Sequence, residues 1–328
     1  MTISEPPSPT TPPVRPRIAP PEDLPLAANP KSVNRSVGYI AFLMPFALLA
    51  SGKITGLCAA QDGLDSLSHY YFSRIGGTIF VGALTVISVL MLFFYSRRVP
   101  PGRATGTAEI RADGFVNFTR MDMILVRVAG AAAFLIALFP TSGIGCESAD
   151  LWLRGFSYVP GDVGTDLADG MAGGALETTF GFWDSFGVPQ ETFFAKVLGS
   201  LHYGAAAVMF AILGYFSLVV FTRVQSPDAL REGVDESGPR AKLTELTWRK
   251  KTRNAIYALC GITIFAAILA LGIKQLVDPA IYNRNNLTFW FEWAALAAFG
   301  LSWLVKGRFI SWLNDPHQPE RKHVAVID

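Results

Sequence analysis

The chain has 328 residues, of which 51% are hydrophobic and 16% are charged, with a mean hydropathy of +0.34 and a formal net charge of +2. Soluble globular domains usually carry about 25% charged residues, so this composition is typical of a polytopic membrane protein. It argues against disordered, collagen-like, disulfide-scaffold and nucleic-acid-binding classes.

The first 36 residues differ in composition from the rest of the chain. They include the run PPSPTTPP and contain no aromatic residue. Such a stretch buries too little apolar surface to offset the entropy lost on ordering, so we predict a disordered, Pro-rich cytoplasmic tail over residues 1–36.

Six stretches approach the roughly 20 apolar residues needed to cross a bilayer. They are Val37–Leu57, Ile75–Tyr95, Met123–Phe139, Gly199–Phe221, Ala255–Leu276 and Leu287–Val305. The sequence therefore predicts an all-α bundle of six transmembrane helices over residues 37–305. Residues 140–198 are too polar and Gly-rich to span and form an exoplasmic insertion, and residues 306–328 form a cytoplasmic tail.

Lysine and arginine residues are concentrated in every second connection between the predicted spans. The two tails and the second and fourth connections hold 21 of the 28 basic residues, whereas the loop of residues 140–198 has two basic residues against eight acidic ones. By the positive-inside rule, both termini are cytoplasmic, and we expect a multi-pass protein of the bacterial inner (plasma) membrane. The basic run at residues 248–253 is interpreted as a topology determinant that contacts anionic lipid.

Two of the three cysteines, Cys58 and Cys146, follow spans one and three on the predicted exoplasmic side. An oxidising exterior permits a disulfide between them, and a reducing cytoplasm would leave Cys260 as a thiol. The alternative is three unrelated buried thiols.

Ionisable groups inside membrane spans are costly, so they are candidates for function. Five of the six spans place such a group near their exoplasmic end, whereas the cytoplasmic half holds little comparable beyond Arg127. The outer layer comprises Lys53, Asp65, Ser66, Ser68, His69, Arg74, His202, Lys274 and Glu292.

The segment LDSLSHYYFSR is the densest part of this layer. On a helix, Asp65 and His69 are four residues apart and share a face. The carboxylate would then fix the imidazole tautomer and leave the second ring nitrogen as a base or ligand. The alternative is that the pair only caps and anchors the outer end of span two.

His202 is a lone histidine within a span, and such residues often serve as interhelical hydrogen-bond partners. Together with His69 and Glu292 it would also form a zinc set with an open position for water. The cations Lys53, Arg74 and Lys274 at the same depth would repel a metal ion. They favour recognition of a lipid headgroup or an anionic small molecule instead.

The motifs DSLSHYYFSRIGGTIFVGAL, RNAIYALCGI and FWFEWAALAAFGLSWLVKG resemble a family of uncharacterised bacterial six-span membrane proteins. The resemblance covers spans two to six and implies the six-span topology. A more distant similarity is to the alkaline ceramidase and adiponectin-receptor (CREST) superfamily of intramembrane metal-dependent amide hydrolases. That superfamily uses Ser-x-x-x-His and His-x-x-x-His; here Ser66 is three residues from His69, and no His-x-x-x-His occurs.

Two function classes follow from these observations. The first is a non-enzymatic membrane protein that binds, senses or transports a small molecule or a lipid headgroup through Asp65, Ser68, His69, His202 and Glu292. The second is a metal-dependent hydrolase, with zinc as the candidate cofactor, acting on a lipid or lipid-linked substrate. The sequence indicates no nucleic-acid partner and does not determine an oligomeric state.

Overall fold

The computed structural model of the chain describes residues 30–57, 64–95, 119–139, 157–158, 179–180, 201–224, 229, 242–276, 281–282 and 285–314. Six helices in these ranges are long and apolar enough to cross a membrane, which confirms the predicted all-α six-span fold. They are α1 (Pro30–Thr55), α2 (Arg74–Val89), α3 (Arg120–Leu138), α4 (Leu201–Tyr215), α5 (Trp248–Gly272) and α6 (Leu287–Lys306).

Helices α2 and α4 each continue into a π-helical segment, at Leu90–Phe94 and Phe216–Val220. A short 3₁₀ helix, Leu67–Phe72, precedes α2. In the insertion, the described residues form a two-residue antiparallel ladder in which Ser157–Tyr158 pairs with Thr179–Phe180.

The helices form a closed ring in chain order. Each helix packs against the next one along the chain, and α6 returns to pack against α1. Neighbours are antiparallel: the end of α1 meets the 3₁₀ helix, and the end of α5 meets the start of α6, where Lys274 Nζ donates to Thr288 Oγ1 at 3.0 Å. The ring therefore has two ends, which we call outer (predicted exoplasmic) and inner (predicted cytoplasmic). The absolute orientation stays a prediction.

Two glycines let α1 and α6 approach closely. A Cβ atom at Gly300 would lie 2.4 Å from the backbone nitrogen of Phe42, and one at Gly38 would lie 2.7 Å from the backbone nitrogen of Leu304. Glycine at both positions removes the side chain that would otherwise hold the backbones apart. This contact closes the ring between its first and last helices.

The inner half of the ring is filled by aromatic side chains around Trp303. Its ring contacts Phe216, Phe221 and Phe299, with centroids 4.6 to 6.0 Å apart. The Trp303 indole donates to the Tyr95 hydroxyl at 2.8 Å. Because this buried polar group has a partner, the cluster packs without leaving a donor unsatisfied.

Helices α1 and α5 begin about two turns earlier than predicted. Helix α1 starts at Pro30, so the last residues of the predicted tail are helical, and Arg35 Nε donates to the carbonyl of Gly307 at 2.7 Å. Helix α5 starts at Trp248 because Thr247 caps it by accepting from the Lys250 N–H. The basic run therefore belongs to a helix. Its Lys250 and Arg253 are buried in the bundle, so these two residues do not form the expected lipid contact. The role of the run as a topology determinant stays a prediction.

Candidate functional site

The 3₁₀ helix Leu67–Phe72 lies at the outer end, where the ends of several helices enclose it. Its apolar residues Leu67, Tyr70, Tyr71 and Phe72 are buried. A Cβ atom at Gly52 of α1 would lie 2.7 Å from the Tyr70 hydroxyl oxygen, so glycine permits this close packing. The segment that the sequence indicated as richest in polar groups is therefore a structural element inside the ring.

Glu292 of α6 holds the start of this 3₁₀ helix. Its Oε2 accepts from the Ser66 hydroxyl and from the Leu67 N–H, each at 2.7 Å. The Ser66 hydroxyl oxygen in turn accepts from the Ser68 N–H at 3.2 Å and caps the helix. A carboxylate at a helix N-terminus meets unpaired N–H groups and the positive end of the backbone dipoles. Glu292 therefore ties α6 to the segment before α2.

Asp65 and His69 form a hydrogen-bonded pair. His69 Nδ1 lies 2.5 Å from Asp65 Oδ1. The expected contact therefore forms, but Asp65 precedes the 3₁₀ helix, so the two residues do not share a helix face as predicted. Burial raises the pKa of the Asp65 carboxyl, but the hydrogen bond and charge of His69, with the charge of Lys274 added, outweigh it and lower the pKa. An ionised Asp65 accepts from Nδ1–H, so Nε2 of His69 is left as the other ring atom able to bond.

His202 is enclosed, and both of its ring nitrogens are used. Its side chain is 1% exposed, Nδ1 donates to the Phe139 carbonyl at 2.8 Å, and Nε2 lies 3.0 Å from Ser68 Oγ. A carbonyl can only accept, so Nδ1 carries the proton and Nε2 accepts from the Ser68 hydroxyl. This histidine links the end of α3, the start of α4 and the 3₁₀ helix.

The five predicted site residues therefore lie in one neighbourhood. Asp65 bonds His69, Ser68 bonds His202, and Glu292 is connected to Ser68 through Ser66. The Ser66 hydroxyl makes this connection, since it donates to Glu292 and accepts from the Ser68 N–H. Ser66 was not among the predicted site residues.

The predicted cationic rim is only partly assembled here. Lys274 lies near Asp65, contributes to its electrostatics, and also packs 6.0 Å from the ring centroid of Tyr282. Lys53 and Arg74 are exposed on the surface.

No group of three His, Cys, Asp or Glu residues in the described ranges is arranged to hold a metal ion. Both ring nitrogens of His202 already contact Phe139 and Ser68, so a zinc ion bound through His202 would require one of those hydrogen bonds to break. The zinc set stays a prediction, and the predicted Cys58–Cys146 disulfide lies outside the described residues.

The inner end also holds buried charge, so the expectation that it carries little beyond Arg127 was wrong. Asp122 is fully buried, and its Oδ2 accepts from Arg223 Nη1 at 2.5 Å. Thr119 and Asp122 form a capping box at the start of α3, and the pattern TRMD before an apolar run is a sequence signal for it. Arg127 itself is exposed.

Comparison of the chain with protein families, with curated proteins and with solved structures found no match. The functional argument therefore depends on the geometry of the chain itself.

Proposed function

We propose that this protein is an integral membrane protein that binds a lipid headgroup or an anionic small molecule at its outer end, with His69 as the contacting group. The single observation that carries the proposal is the Asp65–His69 pair. Its carboxylate orients the imidazole, while the 12% exposure of the His69 side chain gives a ligand access to the ring.

The contrast between the two histidines supports this assignment. His202 is sealed and bonded through both nitrogens, so its role is to join helices. His69 uses Nδ1 for Asp65 and makes no hydrogen bond through Nε2 to any residue in the described ranges. Nε2 would accept from a hydroxyl or amide N–H of a ligand. Lys274, whose charge reaches Asp65, would lie beside an anionic part of the same ligand.

The proposal is tested by native mass spectrometry of the full chain released from membranes in mild detergent. We expect the wild type to retain a lipid or small-molecule adduct. His69→Gln should lose most of it, since glutamine keeps a polar side chain but does not reproduce the oriented imidazole. Ile54→Gln is the control, because it introduces the same glutamine at an exposed outer-end position of α1, where the Ile54 side chain is 82% exposed. Equal adduct occupancy in the wild type and in His69→Gln would refute the proposal.

Access to His69 can be measured separately with diethyl pyrocarbonate, which modifies imidazole nitrogens. We expect His69 to react and His202 to be protected in the folded protein. Equal reaction of both histidines would contradict the difference in enclosure on which the proposal depends.

A hydrolase is the second candidate, and one observation favours it. Ser68 Oγ lies 3.0 Å from His202 Nε2, while Nδ1 of the same ring is oriented by the Phe139 carbonyl. A serine bonded to an oriented imidazole is the arrangement of an activated nucleophile. A fluorophosphonate probe that labels Ser68 in the wild type and fails to label His202→Ala would support this candidate. Absence of labelling in the folded wild type would leave ligand binding as the better-supported function.

A further inference from the structure

The six helices form three pairs of common construction. Helix α6 packs against α1, α2 against α3, and α4 against α5. In each pair the first helix runs from the outer end to the inner end and the second helix runs back. A glycine of the returning helix lies against a leucine of the other helix in all three pairs. These joints are Gly38 with Leu304, Gly130 with Leu92, and Gly261 with Leu218.

The joints of two pairs match in detail. A Cβ atom at Gly38 would lie 3.0 Å from the carbonyl oxygen of Gly300, and one at Gly261 would lie 3.1 Å from that of Gly214. Gly300 and Gly214 each precede the leucine of their helix by four residues, and Ser88 has that position in the α2/α3 pair. Small residues on both sides bring two helices close together, which is how helix pairs are stabilised in a membrane.

The common register is also present in the sequence. Each returning helix has a phenylalanine four residues after its glycine, namely Phe42, Phe134 and Phe265. Residues 35–43 and 127–135, RSVGYIAFL and RVAGAAAFL, share Arg, Gly, Ala, Phe and Leu at five of their nine positions. In α2 and α4 the leucine of the joint is the third residue of the π-helical segment, Leu90–Phe94 or Phe216–Val220. Packing, sequence and local geometry therefore identify the same three units.

Polar bonds bridge the seams between these units at the outer end. The seams lie between the α6/α1 and α2/α3 pairs, between the α2/α3 and α4/α5 pairs, and between the α4/α5 and α6/α1 pairs. At each seam a side chain of one pair bonds a group that belongs to the neighbouring pair. The bonds are, in the same order, Glu292 with Ser66 and Leu67, His202 with Ser68 and Phe139, and Lys274 with Thr288.

The inner half of the ring is held together in a different way. The aromatic cluster around Trp303 of α6 includes Tyr95 at the end of α2 and Phe216 and Phe221 at the end of α4. All three pairs contribute to it, directly at one buried point. This cluster is therefore the place about which the pairs would turn if the outer end opened.

The joints and the seams also differ in strength. Side-chain hydrogen bonds between membrane helices contribute only modestly to stability, because an unfolded segment in the membrane finds other partners. Close packing over small residues is made by many atoms at once. The glycine joints therefore hold each pair as one body, and the outer polar bonds are the contacts that break first.

We propose that the outer polar network is a clasp. It closes the seams between three rigid helix pairs that share the Trp303 cluster as their pivot, and breaking it opens the ring at the outer end. The clasp does not depend on the ligand proposed above, because its bonds are made within the chain. It holds the segment that carries His69, so its opening would also move the proposed ligand site.

Distances between pairs of spin labels test the clasp in the full chain, reconstituted in lipid nanodiscs. The labels are attached at outer-end positions that are at least half exposed, after the three native cysteines have been replaced by alanine. Ile54 with Trp290 measures a distance within the α6/α1 pair. Ile54 with Ile75 measures the seam that Glu292 bridges, and Leu276 with Trp290 measures the seam that Lys274 bridges.

Each variant should open only its own seam. We expect Glu292→Ala to lengthen the Ile54–Ile75 distance by about 2 Å or more and to leave the other two distances unchanged. Lys274→Met should lengthen only the Leu276–Trp290 distance. Ser66→Ala weakens the Glu292 seam from its other side and replaces Glu292→Ala if that variant fails to fold.

Ser217→Ala is the matched control. It removes a hydroxyl contact between α4 and α6 in the inner half of the ring, so it should change none of the three distances. Three results would overturn the proposal. One is a change within the α6/α1 pair as large as that across the seam, another is unchanged seam distances in the folded clasp variants, and the third is equal lengthening of both seams by a single variant.

Discussion

Replacing Glu292 with alanine should destabilise the protein, because the Glu292 carboxylate joins α6 to the start of the 3₁₀ helix. It accepts from the Ser66 hydroxyl and from the Leu67 N–H, both at 2.7 Å. Alanine would leave both donors without this acceptor in a largely enclosed region. Hydrogen bonds to charged groups contribute about 1.5–3 kcal/mol each, and a donor left buried without a partner costs about 1–3 kcal/mol.

From these values we expect Glu292→Ala to lower the free energy of unfolding by about 2–5 kcal/mol. Glu292→Gln should lower it less, because the amide retains an acceptor oxygen. Ser66→Ala removes one of the two bonds and also the cap of the 3₁₀ helix, so we expect a loss of about 2–4 kcal/mol.

A double-mutant cycle isolates the contact. If the Glu292 and Ser66 side chains are in contact, the loss in free energy of unfolding in the double variant should be about 1–3 kcal/mol smaller than the two single losses added together. The reason is that the second substitution removes a hydrogen bond that the first has already broken. The measurement is unfolding of the full chain in mixed micelles of dodecyl maltoside and sodium dodecyl sulfate.

Ser217 provides the matched control for this cycle. Its hydroxyl lies 2.9 Å from that of Ser302 at the inner end, so it too is an interhelical serine contact, but it shares no partner with Glu292. Ser217→Ala combined with Glu292→Ala should be additive within about 0.5 kcal/mol. Additivity in the Ser66 cycle as well would refute the contact and with it the position of the 3₁₀ helix.

Two further predictions concern packing and pH. Gly300→Ala should destabilise the protein by about 1–3 kcal/mol or more, because the new methyl group would lie 2.4 Å from the α1 backbone, whereas Gly82→Ala, with no atom within 4 Å, should be neutral or stabilising by up to about 1 kcal/mol. Thermal unfolding of both variants checks this, and a destabilised Gly82→Ala would contradict it. The pKa of Asp65 is lowered in the folded protein, so its ionised form contributes stability that is present above the ordinary aspartate value of 3.8 and is lost as the pH falls through the folded-state pKa. The difference in free energy of unfolding between the wild type and Asp65→Asn should therefore be fully present at pH 5 and become smaller towards pH 3. A difference that grows on acidification would refute the lowered pKa of Asp65.

The sequence predicted the six helices and the outer neighbourhood for physical reasons that are local. A transmembrane helix needs a fixed length of apolar residues. Ionisable residues within such helices are rare, so their depths in the membrane can be compared from their positions along each predicted span. The Asp65–His69 contact is also local, because it joins residues four positions apart, although it forms across the start of the 3₁₀ helix and not along one helix face as predicted.

The missed features depend on which way side chains point between distant helices. Lys250 and Arg253 belong to a basic run that looks like an exposed surface, but both are buried. Their acceptors are distant along the chain: Lys250 Nζ donates to the carbonyls of Phe221 and Arg223, and Arg253 Nη1 donates to that of Leu313. The positive φ of Arg308 has no sequence signal, because glycine, the usual residue for it, is one position earlier. The polar link through Ser66 was hidden for the same reason, since Glu292 is its partner.

The ring closes between its first and last helices, and this sets the order in which the molecule can be completed. During synthesis, α2 to α5 each find the preceding helix already made, but α1 keeps one face without its native partner until α6 is translated and inserted. The Gly38 and Gly300 approach forms only then, and so does the contact of Glu292 with the 3₁₀ helix. The Glu292 contact that completes the outer site is therefore made in the final step of biogenesis. A chain arrested before α6 has five membrane helices, and the face of α1 that binds α6 stays exposed to lipid.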